Sequence, residues 1–114
     1  MAYKHLVKKM TIENLWLYIL RLLMEKPMYG REIIQALKER FNIKSGSVTT
    51  YVVLYRMERE GLIKKIKKKG RKKRNGRAYY KPTEKGVKAF HKGLEFIKFT
   101  YQRLITGEAD AHEI

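Results

Sequence analysis

Between Gly61 and Thr83 the chain carries Lys64, Lys65, Lys67, Lys68, Lys69, Arg71, Lys72, Lys73, Arg74, Arg77 and Lys81, with no acidic side chain among them. Cations packed this densely repel one another, and a polyphosphate relieves that repulsion. The chemistry open to the run is therefore phosphate contact, which supplies affinity and salt dependence more than sequence choice. A second set lies just upstream. Ser47, Thr49, Tyr51, Tyr55, Arg56 and Arg59 carry hydroxyl and guanidinium groups that can reach phosphates and base edges. On a helix, Thr49, Tyr55, Arg56 and Arg59 fall mainly away from the apolar face and Tyr51 sits at its boundary. The bland alternative for this segment is a core helix that only anchors the basic run.

Composition limits the partners. The 114 residues fit one domain, and 27 basic against 11 acidic residues give a formal charge of +16, more than solubility requires. Nucleic acid leads the polyanions that suit such a charge. An anionic membrane surface is weaker, because the positive run lacks the broad aliphatic face of an inserting helix. The chain has no cysteine, which excludes disulfides, thiol catalysis and cysteine-ligated zinc. His5, His91 and His112 are far apart and lack spaced carboxylates, so no metal is expected. Ser45 and Ser47 have no recognisable base, no glycine-rich phosphate loop is present, and neither an enzyme nor a cofactor is implied. The apolar stretch Leu15 to Met24 contains Arg21 and is too short to span a membrane. No signal peptide precedes it, which points to a soluble, cytoplasmic protein.

The elements that must position these groups can be read from apolar spacing. Residues 1–10 form a short arm or extra helical turn, with Tyr3, Leu6, Val7 and Met10 able to pack. Thr11 can cap a helix in which Ile12, Leu15, Trp16, Ile19, Leu20, Leu22 and Leu23 cover more than half the circumference, so it is buried on several sides. Pro27 ends it, and Gly30 offers a permissive turn. A second amphipathic helix carries Ile33, Ile34, Leu37 and Phe41. Ser47 is the expected cap of a third, running from Val48 to Glu60 and stopped by Gly61, with Thr50, Val53, Leu54 and Met57 inward. Leu62, Ile63 and Ile66 start a strand, Asn75-Gly76 marks a turn, and Ala78-Tyr79-Tyr80 return as a second strand. One of the two tyrosines packs inward.

Thr83 caps a last long helix in which Val87, Phe90, Leu94, Ile97, Tyr101 and Leu104 recur at spacings of 3, 4, 3, 4 and 3. A heptad stripe of that length asks for a partner helix, most simply from a second copy, and Trp16 is expected in the core or at that interface. The fold class is thus mainly α with a small β-hairpin: a winged helix-turn-helix over residues 1–83, a C-terminal dimerisation helix over 84–106 and a flexible tail over 107–114. This order suits double-stranded DNA, with a helix for the major groove and a basic hairpin for the adjacent backbone or minor groove. The runner-up is an architectural or RNA-associated protein using the same charge without sequence selection.

Three segments resemble the PadR family of transcriptional regulators. They are KPMYGREI, through Pro27, Gly30, Glu32 and Ile33; TYVVLYRMEREGLI, through Tyr51, Leu54, Met57, Glu60, Gly61, Leu62 and Ile63; and GRAYYKPTEKG, through Arg77, Tyr79, Tyr80, Thr83, Glu84 and Gly86. The resemblance covers roughly Leu15 to Leu104. It implies a homodimer, usually a repressor, reading an inverted repeat, with the last helix pairing against the partner's N-terminal region. Some relatives accommodate a small-molecule effector near that interface, although a single C-terminal helix, as in the short branch of the family, leaves less room for one. Ser47 and Val48 stand where the family commonly has Pro-Gly, and the basic hairpin is longer and more charged than usual.

Overall fold

The computed structural model describes residues 1–66 and 78–109. The chain order is α1 (Ala2–Met10), a 3-10 turn (Ile12–Asn14), α2 (Leu15–Leu23), β1 (Met28–Tyr29), α3 (Gly30–Phe41), α4 (Ser47–Arg59), β2 (Ile63–Ile66), β3 (Tyr79–Pro82) and α5 (Glu84–Thr106). The fold is mainly helical with a small antiparallel sheet. The Asn75-Gly76 turn and the basic residues Lys67, Lys68, Lys69, Arg71, Lys72, Lys73, Arg74 and Arg77 fall outside the described residues.

Helix α2 is the centre of the core. Leu15, Ile19, Leu20, Leu22 and Leu23 are buried on it, and they meet Ile33 and Leu37 of α3, Leu54 and Met57 of α4, Ile63 of β2, Tyr80 of β3 and Phe90 of α5 in one cluster. The helix starts later than Thr11, however. The Thr11 hydroxyl donates to the Val7 carbonyl at 2.7 Å, so this residue closes α1 instead of capping α2. Asn14 then breaks the path with φ −139°. Its amide donates to the Lys9 carbonyl at 2.5 Å, and the Tyr18 hydroxyl donates to the Met10 carbonyl at 2.7 Å. Glu13, in the 3-10 turn, pairs with Lys9 at 2.9 Å. These polar ties fasten the end of α1 to the start of α2, while Tyr3, Leu6, Val7 and Met10 stay exposed on the arm itself.

Beyond Pro27 the chain forms a two-residue strand that apolar spacing alone did not reveal. β1 pairs with β3 through Met28 and Tyr80 and through Tyr29 and Tyr79. β2 pairs on the other side of β3, from Ile63 opposite Pro82 to Ile66 opposite Tyr79, giving the order β1-β3-β2. Tyr80 is the inward tyrosine, and burial pushes its hydroxyl pKa up. Tyr79 meets the Tyr29 ring edge-on with centroids 5.3 Å apart. The basic hairpin is therefore braced by the segment leading into α3.

Helix α3 begins where the Glu32 carboxylate accepts the Tyr29 backbone N–H at 3.1 Å, and it ends at Asn42, whose φ of 56° is left-handed. Across the bottom of the bundle Glu25 joins α2 to α3, accepting from both Arg40 nitrogens at 2.7 and 2.8 Å and from Arg21 at 2.7 Å. The hydrogen-bonded Arg40 guanidinium, helped by Arg21, holds this carboxyl at about 2. Its folded pKa is depressed. The contribution of the pair is therefore complete above the ordinary carboxylate range and is lost as pH falls through about 2.

The α4–β2 junction and the start of α5 are tied together. Gly61 has φ +79° just past α4. The Thr83 hydroxyl donates to its carbonyl at 2.5 Å and accepts the Gly86 N–H at 3.0 Å, as expected for the cap of the last helix. The Thr83 N–H donates to the Leu62 carbonyl, and Lys85 Nζ to the Glu60 carbonyl. No helix among the described residues is long and apolar enough to cross a membrane.

Candidate nucleic-acid interface

Helix α4 divides into two faces. Thr50, Leu54 and Met57 are buried and Val53 is half-buried, the inward set that spacing selected. Ser47, Thr49, Tyr51, Tyr55, Arg56 and Arg59 are all exposed. Ser47 is not the cap: Gly46 occupies that position, and Ser47 is the first helical residue. Thr50 takes over the polar work at the entry. Its hydroxyl donates to the Gly46 carbonyl at 2.9 Å, which leaves the Ser45 hydroxyl, 2.8 Å away, to donate to it. A buried threonine thus anchors the first turn and leaves Ser47 facing outward.

Tyr51 is placed by Gly30. A Cβ on Gly30 would overlap the Tyr51 hydroxyl and ring carbons, so the ring lies directly over the first residue of α3. Close approach, and not a left-handed backbone, is the reason for glycine there, since among the described residues only Gly61 and Gly107 are glycines with positive φ. A methyl at this point must push the ring aside. We expect Gly30→Ala to destabilise the wild-type background by about 1 kcal/mol and to be neutral or stabilising beside Tyr51→Ala. A denaturant-unfolding double-mutant cycle measures the difference.

At the other end of the face, Arg59 donates to the Tyr55 hydroxyl at 3.0 Å with its guanidinium 5.7 Å from that ring's centroid. The pair presents one preorganised cation and not two independent side chains. Arg56 is exposed on the flank, as is Thr49. Two apolar residues, outside the polar set that the sequence singled out, occupy the middle of the outer face. Val48 is 78% exposed and Val52 44% exposed, and with Ser47, Tyr51 and Tyr55 they line a shallow depression of about 450 Å³. Their β-branching marks them in the sequence only as poor helix formers. A helical wheel centred on Thr50 places both opposite it.

The hairpin adds Lys64 and Lys65 at its base, both exposed on β2, and Lys81 on β3, paired in register with Lys64. Lys65 stands 3.9 Å from Glu58, a loose contact that screens little of its charge. The residues expected at a dimer interface are distributed less simply. Phe90 is buried in the core of its own chain, and Val87 and Ile97 are half-buried. Leu94, Tyr101 and Leu104 are exposed, joined by Phe96 and Ile105, which the heptad spacing omits. Trp16 is half-buried against the core, donates its indole N–H to Asn14 at 3.1 Å, and lies close against α5 at Gly93.

The family model of PadR-like transcriptional regulators matches residues 19–92, which takes in α3, α4, both hairpin strands and the first part of α5. The chain belongs to the PadR-like family of transcriptional regulators. It is a regulator and not an enzyme. A transcriptional regulator from Clostridium thermocellum is 28% identical and superposes with a TM-score of 0.69, covering 80% of this chain and 86% of that one. A PadR-like transcription factor from Bacteroides fragilis is 25% identical with a TM-score of 0.69 over 91% and 99% of the two chains. Bacillus subtilis PadR, solved with operator DNA, is 25% identical with a TM-score of 0.60 over 70% and 46%. A search of curated proteins gave no match. The PadR resemblance read from the three segments is therefore established, and with it the winged-helix fold.

Proposed function

We propose that this chain is a homodimeric repressor that seats α4 in the major groove of an inverted-repeat operator, while the hairpin of β2 and β3 reaches the adjacent phosphate backbone or minor groove. The observation that carries the reading is the outer face of α4. Seven residues, Val48, Thr49, Tyr51, Val52, Tyr55, Arg56 and Arg59, take no part in the buried core, and Lys65 of β2 stands 3.9 Å from Glu58 near the end of the same helix. A helix of this width fits the major groove, and side chains along its outer face can meet base edges. Ser47 and the first-turn amides suit a phosphate at the positive end of the helix. The operator complex of Bacillus subtilis PadR supports the same use of the fold.

Dimer formation is supported by two uncovered apolar surfaces. Tyr3, Leu6, Val7 and Met10 line α1, and Leu94, Tyr101, Leu104 and Ile105 line the distal half of α5. Leu104 is 79% exposed, an unfavourable state for so large an apolar side chain unless a partner covers it. Pairing each α1 with the partner's α5 removes both surfaces from water and spaces two copies of α4 for an inverted repeat.

Arg56→Ala tests the reading. Selective binding to an enriched duplex is expected to weaken roughly 10-fold or more, as for loss of a base contact, with a smaller loss on unrelated duplexes. Competition titrations at raised salt measure both. Equal losses would move Arg56 to the phosphate backbone, and equal wild-type affinity for all duplexes would favour an architectural role.

A further inference from the structure

We infer that Val48 and Val52 read thymine through its 5-methyl group, so that the operator carries thymines facing the first turns of α4 and the regulator rejects the same sequence lacking those methyls. The inference rests on the reading of α4 as the recognition helix. Val48 and Val52 are i and i+4, and at about 100° per residue both lie within roughly 20° of the direction opposite Thr50. They are the midline of the face that meets the groove. Their Cβ atoms are about 6 Å apart, which against a base-pair rise of about 3.4 Å places them over bases one to two steps apart.

Folding gives no reason for valine at these positions. Both side chains stand outside the core, and a β-branched residue on an exposed helix face is a poorer helix former than alanine. Water gives no reason either, since both valines hold apolar surface on an open, shallow face, Val48 with 78% of it exposed. The ligand that suits the surface is an apolar group set among phosphates. Arg56 and Arg59 follow on the last turn of the same helix and Lys64 and Lys65 on the strand after it, and this positive charge selects a polyanion. In the major groove the only apolar group a base pair displays is the thymine methyl. The side chains that grip adenine bidentately, Asn and Gln, do not occur between Ser47 and Arg59, so on α4 an A·T pair is legible mainly from its thymine side. RNA lacks the methyl and would leave the valines in contact with water.

The test uses the full chain, one random duplex library and deoxyuridine versions of the duplex it selects. Sequences are enriched from a random duplex library containing thymine, and the winning duplex is then made with deoxyuridine at single thymine positions. Wild-type protein is expected to lose about 4-fold in affinity for each methyl in contact. Val48→Ala and Val52→Ala are expected to fold at least as well as wild type and to discriminate thymine from deoxyuridine less than wild type at the position each valine reads. Undiminished binding of every deoxyuridine duplex by the wild type overturns the inference while leaving selective duplex binding intact. Failure to enrich any sequence from the thymine pool overturns the repressor reading and this inference with it. An undiminished thymine preference in both alanine variants also overturns it.

Discussion

Gly86→Ala is expected to lower the melting temperature by roughly 10–20 °C, although alanine is the better helix former. Glycine inside a helix is worse than alanine by about 1 kcal/mol, so propensity alone predicts stabilisation. Sterics decide otherwise. A Cβ at Gly86 would overlap the Leu62 carbonyl oxygen and come within 3.1 Å of Leu20 Cδ2. The first partner is backbone, and that carbonyl already accepts the Thr83 N–H at 3.0 Å, so it cannot turn away without breaking the entry to α5. Overlap with fixed backbone in a packed core destabilises by about 3 kcal/mol, which outweighs the gain in propensity and corresponds to the stated shift for a domain of this size. Gly46→Ala is the control, because nothing lies within 4 Å of its would-be Cβ. Only the smaller cost of a poor N-cap, about 1 kcal/mol or less, is expected there. Thermal melts followed by circular dichroism separate the two, and equal melting of Gly86→Ala and wild type would mean that the α5 entry shifts freely.

Gly86 also illustrates what spacing reveals and what it conceals. The stop at Gly61 and the cap at Thr83 were readable because both depend on local chemistry, a left-handed backbone after a helix and a hydroxyl before one. The inward face of α4 was readable for the same reason, since Thr50, Val53, Leu54 and Met57 lie on one side of a helix wherever it packs. In the sequence Gly30 reads as a turn glycine and Gly86 only as one letter of a segment that resembles the family. Their constraint comes from Tyr51 and Leu62, more than 20 positions distant along the chain in each case.

The same distinction explains the other departures. β1 has only two residues, too few for any alternation, and it exists because β3 offers an edge to pair with. Thr11 has the chemistry of a cap but turns back to Val7, and Ser47 has that chemistry but yields the cap position to Gly46 while Thr50 secures the turn. Phe90 keeps the heptad spacing of an interface residue, yet α5 must first pack on α2, and that packing claims its N-terminal half. Val48 and Val52 were hidden by their apolar type. The wheel already set them opposite Thr50, but valine carries no group that marks a base or phosphate contact, so they stood outside the polar set.

The wing charge sets the second large effect. Replacing Lys67, Lys68, Lys69, Arg71, Lys72, Lys73, Arg74 and Arg77 by glutamine removes eight of the 27 basic residues and halves the formal net charge from +16 to +8. Each phosphate contact releases condensed counterions and adds about −0.9 to the slope of log affinity against log salt. If half of these side chains touch phosphate, the slope flattens by roughly 3–4 units and affinity near physiological salt falls by about 1,000-fold for each copy bound. Preference among duplexes is expected to change far less, because phosphate carries no sequence and α4 keeps Thr49, Tyr55, Arg56 and Arg59. Lys64 and Lys65 remain at the base of the hairpin, but two cations per copy cannot stand in for the eight removed. Binding isotherms at several salt concentrations, on an enriched and an unrelated duplex, give slope and preference together. A flat slope with retained preference assigns affinity to the wing and choice to α4. An unchanged slope would remove the run from the phosphate backbone, and loss of preference with little change in slope would make the wing itself the reader of sequence.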